Sequence, residues 1–241
     1  HRVLKGSALA HHLHPDPAQR TFGDNDLLVP AEGIDTAVGA LVAAGAVRPV
    51  PRISPDFDRR FAKSVTLQWR AGTELDLHRT LAAGPYGFLV DLADLVRQPV
   101  DLVLAGRRLS TLPLHLHLLH GAMHVALGDV APRLGNVRDL ALATRHASVD
   151  AELVVATAER WKCTVPVARG LQSVSVLGIE PSPLERWAAG REPGAIERWR
   201  LSAYAGRTGR YRRQALASLP VMPWADRLAF SRALLRRRRS G

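Results

Sequence analysis

The run Gly23-Asp24-Asn25-Asp26-Leu27-Leu28-Val29 constrains this chain more than any other stretch. Apolar β-forming residues follow two carboxylates set two positions apart. Side chains alternate across a strand, so Asp24 and Asp26 share one face while Asn25, Leu27 and Val29 turn to the layer behind. Carboxylates held side by side raise each other's pKa, and a divalent cation removes that penalty. Mg²⁺ (or Mn²⁺) suits such a pair, because it takes oxygen ligands and is often shared between carboxylates and substrate phosphates. Taken alone, Asp-x-Asp equally describes a solvated turn.

The flanking segments narrow the choice. Arg2 to Lys5 reads as a short strand, Gly6-Ser7 as a tight turn, and Ala8 to Leu13 as a helix stopped by Pro15. Ser7 is a good N-cap, and Gly6 allows a ligand close to the backbone. A helix N-terminus favours phosphate oxygens, although the same residues also make an ordinary cap. Ile34, Ala37, Val38, Leu41 and Val42 then recur at helical spacing, ending at Gly45. Downstream, Val65, Leu67 and Trp69 alternate with polar residues, Ala71-Gly72 turns the chain, and a second strand follows. That strand carries Leu75 and Leu77 on one face and Glu74, Asp76 and His78 on the other, an acidic outer face. Asp76 is placed to join the carboxylate pair and accept a proton. Its alternative is a solvated strand face with an ion pair to Arg79 or Arg70.

This order resembles the DNA polymerase beta-like nucleotidyltransferase superfamily. In detail, Leu4-Lys5-Gly6-Ser7-Ala8-Leu9, Arg20, Asp24 to Val29, and Glu74-Leu75-Asp76-Leu77-His78 resemble a bacterial family known as the uncharacterised nucleotidyltransferases. Weaker similarity continues through His124 and Arg138-Asp139-Leu140-Ala141. The resemblance implies an α+β fold: a mixed sheet flanked by helices over residues 1–112, then a helical domain over 113–241. It also implies two-metal transfer of a nucleoside monophosphate from an NTP, ATP among them, to a hydroxyl. Asp24, Asp26 and Asp76 would be the metal ligands and catalytic carboxylates. Gly6 and Ser7 would hold the β- and γ-phosphates, with Lys5 and Arg20 as further phosphate contacts. His78 and Glu74 are candidates for the surrounding shell. Two departures stand out. Ser7 and Asp24 are 17 residues apart, farther than in many members, and Asn25 replaces an apolar residue.

Composition bounds the remaining choices. The longest apolar stretch, Ala37 to Val47, contains two glycines and is far too short to span a membrane. A single cysteine, Cys163, excludes an internal disulfide and fits a reducing cytoplasm. Abundant Ala, Arg and Leu point to a GC-rich bacterial genome. The chain opens at His1 beside the first strand, so a preceding segment is expected. The net charge of +11 is uneven: residues 200–241 hold eleven arginines and one acid, Asp226, leaving about +1 for the rest. Arg207, Arg210, Arg212 and Arg213 lie near Tyr204 and Tyr211, and Arg236 to Arg239 close the chain. Such a segment is either a solvated helix face or an RNA-binding surface.

The second half reads as helical after a hairpin at Leu102–Leu104 and Leu109. Helices are expected over Pro113–Val125, Arg138–His146, Asp150–Trp161 with Asp150 as cap, Val167–Leu177 and Ala225–Arg239. Prolines 181, 183 and 193 break the remainder into short pieces. His117, His120 and His124 fall on one helix face, with His115 nearby and Asp129 just beyond. That spacing suits a zinc site, or packing and a place in the acceptor pocket. The acceptor is a small molecule, a peptide or an RNA 3′ end. The competing readings are a non-catalytic nucleotide- or RNA-binding module, and a toxin acting on tRNA or protein.

Overall fold

A computed structural model describes residues 1–69, 72–128, 131–206 and 209–239, without the side chains of 236–239. Arg70, Ala71, Asp129 and Arg207, as well as the side chains of Arg236 to Arg239, lie outside the described residues. Strands β1 (Arg2–Leu4), β2 (Asp24–Leu28), β3 (Ser64–Gln68), β4 (Glu74–His78), β5 (Val100–Leu104) and β6 (Arg107–Thr111) form a mixed sheet in the order β3-β4-β2-β1-β6-β5. β2 pairs parallel with β4 and antiparallel with β1, while β1 runs parallel with β6. The β5–β6 hairpin closes through Ala105 and Gly106, both at positive φ, the backbone that two-residue hairpins demand.

Helices α1 (Lys5–Leu13), α2 (Ile34–Ala43), α3 (Phe57–Arg60), α4 (Gly84–Leu89) and α5 (Asp94–Arg97) interleave with the strands. Then come α6 (Leu114–Leu127), α7 (Leu134–Ala143), α8 (Ala151–Arg160), α9 (Thr164–Gln172), α10 (Pro183–Ala189), α11 (Ala195–Ser202), α12 (Arg210–Ser218) and α13 (Trp224–Arg239). This is an α+β fold. The expected helices recur with shifted ends. α7 starts four residues early, α9 starts at Thr164 with Pro166 in its first turn, and residues 173–177 tighten to 3-10 geometry. Asp150 caps α8, accepting from the Glu152 and Leu153 amides.

The back of the sheet buries Leu67, Leu77 and Val65 against Ile34 and Val38 of α2. On the other side the main core starts at Leu4 and Leu28, runs through α6 to α9, and reaches Leu201 and Ala217. It is continuous across the expected boundary at 112/113. α6 is its axis. Gly170 of α9 packs so closely on α6 that an added Cβ would sit 2.2 Å from the Ala122 carbonyl oxygen. Among the described residues no helix is long and apolar enough to cross a membrane.

Candidate active site

Strand pairing brings the carboxylates together. In the parallel β2–β4 register Asp24 lies opposite Glu74, Asp26 opposite Asp76, and Leu28 opposite His78. Asp26, Asp76 and His78 each offer a donor atom within 4.8 Å of the others, the one such convergence among the described residues. Asp24 shares the face but is not a member of that set, and Glu74 is exposed at the strand start.

The expectation of an acidic outer face is corrected. β2 and β4 are internal to the sheet, and one end of the carboxylate face is covered, with Asp26 2% exposed and His78 fully buried, while Asp24 and Asp76 are half-buried and Glu74 is exposed. The His78 ring meets the edge of His120 with centroids 6.0 Å apart. Arg79 donates to the Ala62 carbonyl rather than to Asp76. Asp76 instead accepts from the Thr66 hydroxyl at 2.5 Å across the β3–β4 pair. Asn25, half-buried, lies on the sheet's other face.

Buried charge is compensated locally. Asp26 Oδ1 lies 2.5 Å from His78 Nε2 and 3.0 Å from Lys5 Nζ. Burial alone would raise the Asp26 pKa. The His78 hydrogen bond and the Lys5 charge outweigh it and hold the carboxyl well below its usual range. Burial lowers the His78 pKa against the opposing pull of Asp26. Nε2 faces the Asp26 carboxylate and Nδ1 the Thr80 carbonyl at 3.3 Å, so ligation of a cation through Nε2 requires the ring proton to sit on Nδ1. Two carboxylates and an imidazole form a donor set that fits a divalent cation, the oxygens suiting Mg²⁺ and the nitrogen extending the choice to Mn²⁺.

The Gly-Ser segment also differs from expectation. α1 begins at Lys5 directly after β1, with Leu4 at the cap position, so Ser7 lies inside the first turn and does not cap it. Lys5 has φ +40°, a backbone disfavoured for a residue with a side chain, and its amine is tied to Asp26. Gly6 is needed for another reason: a Cβ there would meet the Phe22 ring at 2.7 Å. The long Ser7–Asp24 spacing is absorbed by α1 and a 3-10 turn over Pro17–Gln19, capped by Asp16. Arg20 then donates to Asp139 Oδ2 at 2.8 Å, and His14 Nε2 lies 3.1 Å from the other Asp139 oxygen. Arg138 holds the Gln19 carbonyl. The distant Arg138-Asp139 pair thus clamps the loop carrying Arg20.

The histidines of α6 diverge. His117 donates to the Thr111 hydroxyl at 2.7 Å, His120 packs on His78, and His124 faces a cleft. They form no converging metal set among the described residues, and Asp129 lies outside those residues. Burial holds His117 and His124 at about 3 and lowers His120 as well, so all three are neutral imidazoles.

A family model described as uncharacterised nucleotidyltransferase matches residues 1–177. The chain belongs to this family. No curated protein gives a significant match. In this nucleotidyltransferase the match holds every carboxylate of the site, while residues beyond 177 shape what surrounds it. A cleft of about 670 Å³ runs from Lys63 and Thr66 past His124 to Tyr211, Gln214 and Phe230 of α12 and α13. Sequence reasoning missed Lys63 and Thr66. One signal was available for the first: the chain has three lysines, Lys5, Lys63 and Lys162, among 33 basic residues.

Three of the described C-terminal arginines bind the chain's own backbone. Arg210 binds the Leu127 and Gly128 carbonyls at the end of α6, and Arg227 binds those of Met222 and Pro220. Arg213 reaches the Ala205 carbonyl. Tyr204 is buried, its hydroxyl on the Ala83 carbonyl, whereas Tyr211 is exposed.

Proposed function

We propose that the protein transfers a nucleoside monophosphate from an NTP to an acceptor hydroxyl, releasing pyrophosphate. The observation that carries this reading is Asp26 opposite Asp76 in parallel register, with His78 beside them and Lys5, Gly6 and Ser7 at the adjoining helix start. Asp26 and Asp76, with His78 or Asp24 completing the set, would hold the divalent metal. A cation held by these residues would supply neutralisation of the phosphate charge.

The chain's own residues supply the rest. Lys5 and the first α1 amides bind the β- and γ-phosphates as Lys5 exchanges Asp26 for phosphate oxygen. Asp76 takes the proton of the attacking hydroxyl, and Thr66 holds its other oxygen in place. A P–O bond forms to the acceptor and the bond between the α-phosphorus and the bridging oxygen breaks. The leaving pyrophosphate carries away the charge. Arg20, whose Nε donates to Asp139 and Nη1 to the Thr21 carbonyl, would offer Nη2 to the phosphates. Glu74 stands beside Asp24 at the outer end of the site.

Titration calorimetry with each of the four NTPs, with and without Mg²⁺, tests the proposal on wild type, Asp24→Ala and Asp26→Asn. Metal-dependent NTP binding is expected in wild type and its loss in both variants. Binding that is unchanged in Asp26→Asn would refute the site.

A further inference from the structure

Lys63 sits just before β3, and its amine lies within electrostatic reach of Asp26, Asp76 and Asp24. Among the described residues it has neither a hydrogen-bond nor an ion-pair partner. The residue is half-buried, and its amine is largely desolvated without being sealed from water. Two other cations nearby are already paired: Lys5 with Asp26, and Arg48 with Asp58 at 2.6 Å. A cation left in such a place is stabilised by an incoming anion.

Its position across the sheet says which anion. The strand order places Thr66 (β3), Asp76 (β4), Asp26 (β2) and Lys5 (after β1) in sequence. On the reading proposed above, on which this inference rests, pyrophosphate leaves on the Lys5 side. In-line displacement then brings the acceptor from the opposite side, past Asp76. On that side lies the cleft: Thr66, which donates to Asp76, lines it together with Lys63, while the carboxylates themselves do not. One part of its wall is aromatic, Phe230 of α13 stacking on Phe57 at 6.1 Å and meeting Phe61 and Phe88, while Arg48, Asp58, Arg210 and Gln214 also line it. Its volume suits one small molecule.

We infer that this cleft is the acceptor site, and that it takes a small molecule with an apolar or aromatic body and an anionic group, carboxylate or phosphate, bound by Lys63. Part of the wall comes from α12 and α13, beyond the 1–177 family match, so acceptor choice is shared between Lys63 within the match and a part of the chain outside it.

The test uses the full chain and two fluorescent probes with related aromatic bodies, 8-anilinonaphthalene-1-sulfonate and the neutral N-phenyl-1-naphthylamine. Wild type is expected to bind the sulfonate at least tenfold more tightly than the neutral probe. Lys63→Met is expected to erase that preference, Lys63→Arg to keep it, and ATP affinity to change less than threefold in either. Carboxylate and phosphate derivatives of naphthalene then compete for the cleft and separate the two anion types. Equal preference in wild type and Lys63→Met would overturn the inference. So would a tenfold loss of ATP affinity in Lys63→Met, which would assign the lysine to the nucleotide's own phosphates, or displacement of the probe by a short RNA at equal concentration. Absence of ATP binding in wild type would refute the transferase reading alone, since the probe preference is read without ATP.

Discussion

Replacing Lys63 with Met is expected to stabilise the folded protein at pH 7 and to leave it almost unchanged near pH 11. Burial of the amine, with Lys5 adding repulsion, lowers its pKa from 10.5 to about 8, and the three carboxylates offset only part of this. Below pH 8 the lysine is protonated in both states, and the folded state carries the desolvation cost. Between pH 8 and 10.5 the unfolded chain binds more protons, so wild-type stability rises with pH. Above 10.5 both states are neutral and the cost is gone. At about 1.4 kcal/mol per pH unit the full difference is about 3 kcal/mol, reduced to about 2 by the residue's remaining exposure. Methionine fills a similar volume with no charge to desolvate. Urea unfolding followed by tryptophan fluorescence at pH 7, 9 and 10.5 measures the gain over wild type. It is expected to be largest at pH 7 and to shrink steadily. A gain under about 0.5 kcal/mol at pH 7, within the range of an ordinary surface change, would refute the reasoning. So would a gain that did not vary with pH.

Three further outcomes follow from packing. Gly170→Ala drives a methyl into the Ala122 backbone, which cannot swing aside, and is expected to cost about 1–3 kcal/mol in a chemical melt. Gly6→Ala meets only the half-exposed Phe22 ring, and a gain of about 1 kcal/mol in helix propensity opposes the loss. Its stability is expected to stay within about 1 kcal/mol of wild type, while NTP affinity, measured by calorimetry, falls because the displaced ring crowds the phosphate turn. Arg20→Leu leaves Asp139 buried with His14 alone, so a loss of about 2–4 kcal/mol is expected on thermal unfolding.

The local pattern determined a good deal of this protein. Alternation in Asp24 to Leu28 and Glu74 to His78 set which side chains share a face. Gly106 marked a hairpin, Pro113 a helix start and Asp150 a cap, because each acts on its immediate neighbours. The motif order also carried the family. What stayed hidden depended on partners far away in sequence. That Asp26 and His78 are buried, with His120 against the His78 ring, follows from where α6 packs, about forty residues later. That Gly6 accommodates Phe22, and that Arg20 is clamped by Asp139, are contacts across 16 and 119 residues. Ser7 lost its cap role because β1 runs into α1 without a loop. Lys63 carried no periodic signal: only the tertiary fold half-buries it and brings its amine within electrostatic reach of the carboxylates. Spacing along a chain fixes facing directions, but burial, electrostatic environment and cleft walls arise only when separate segments meet.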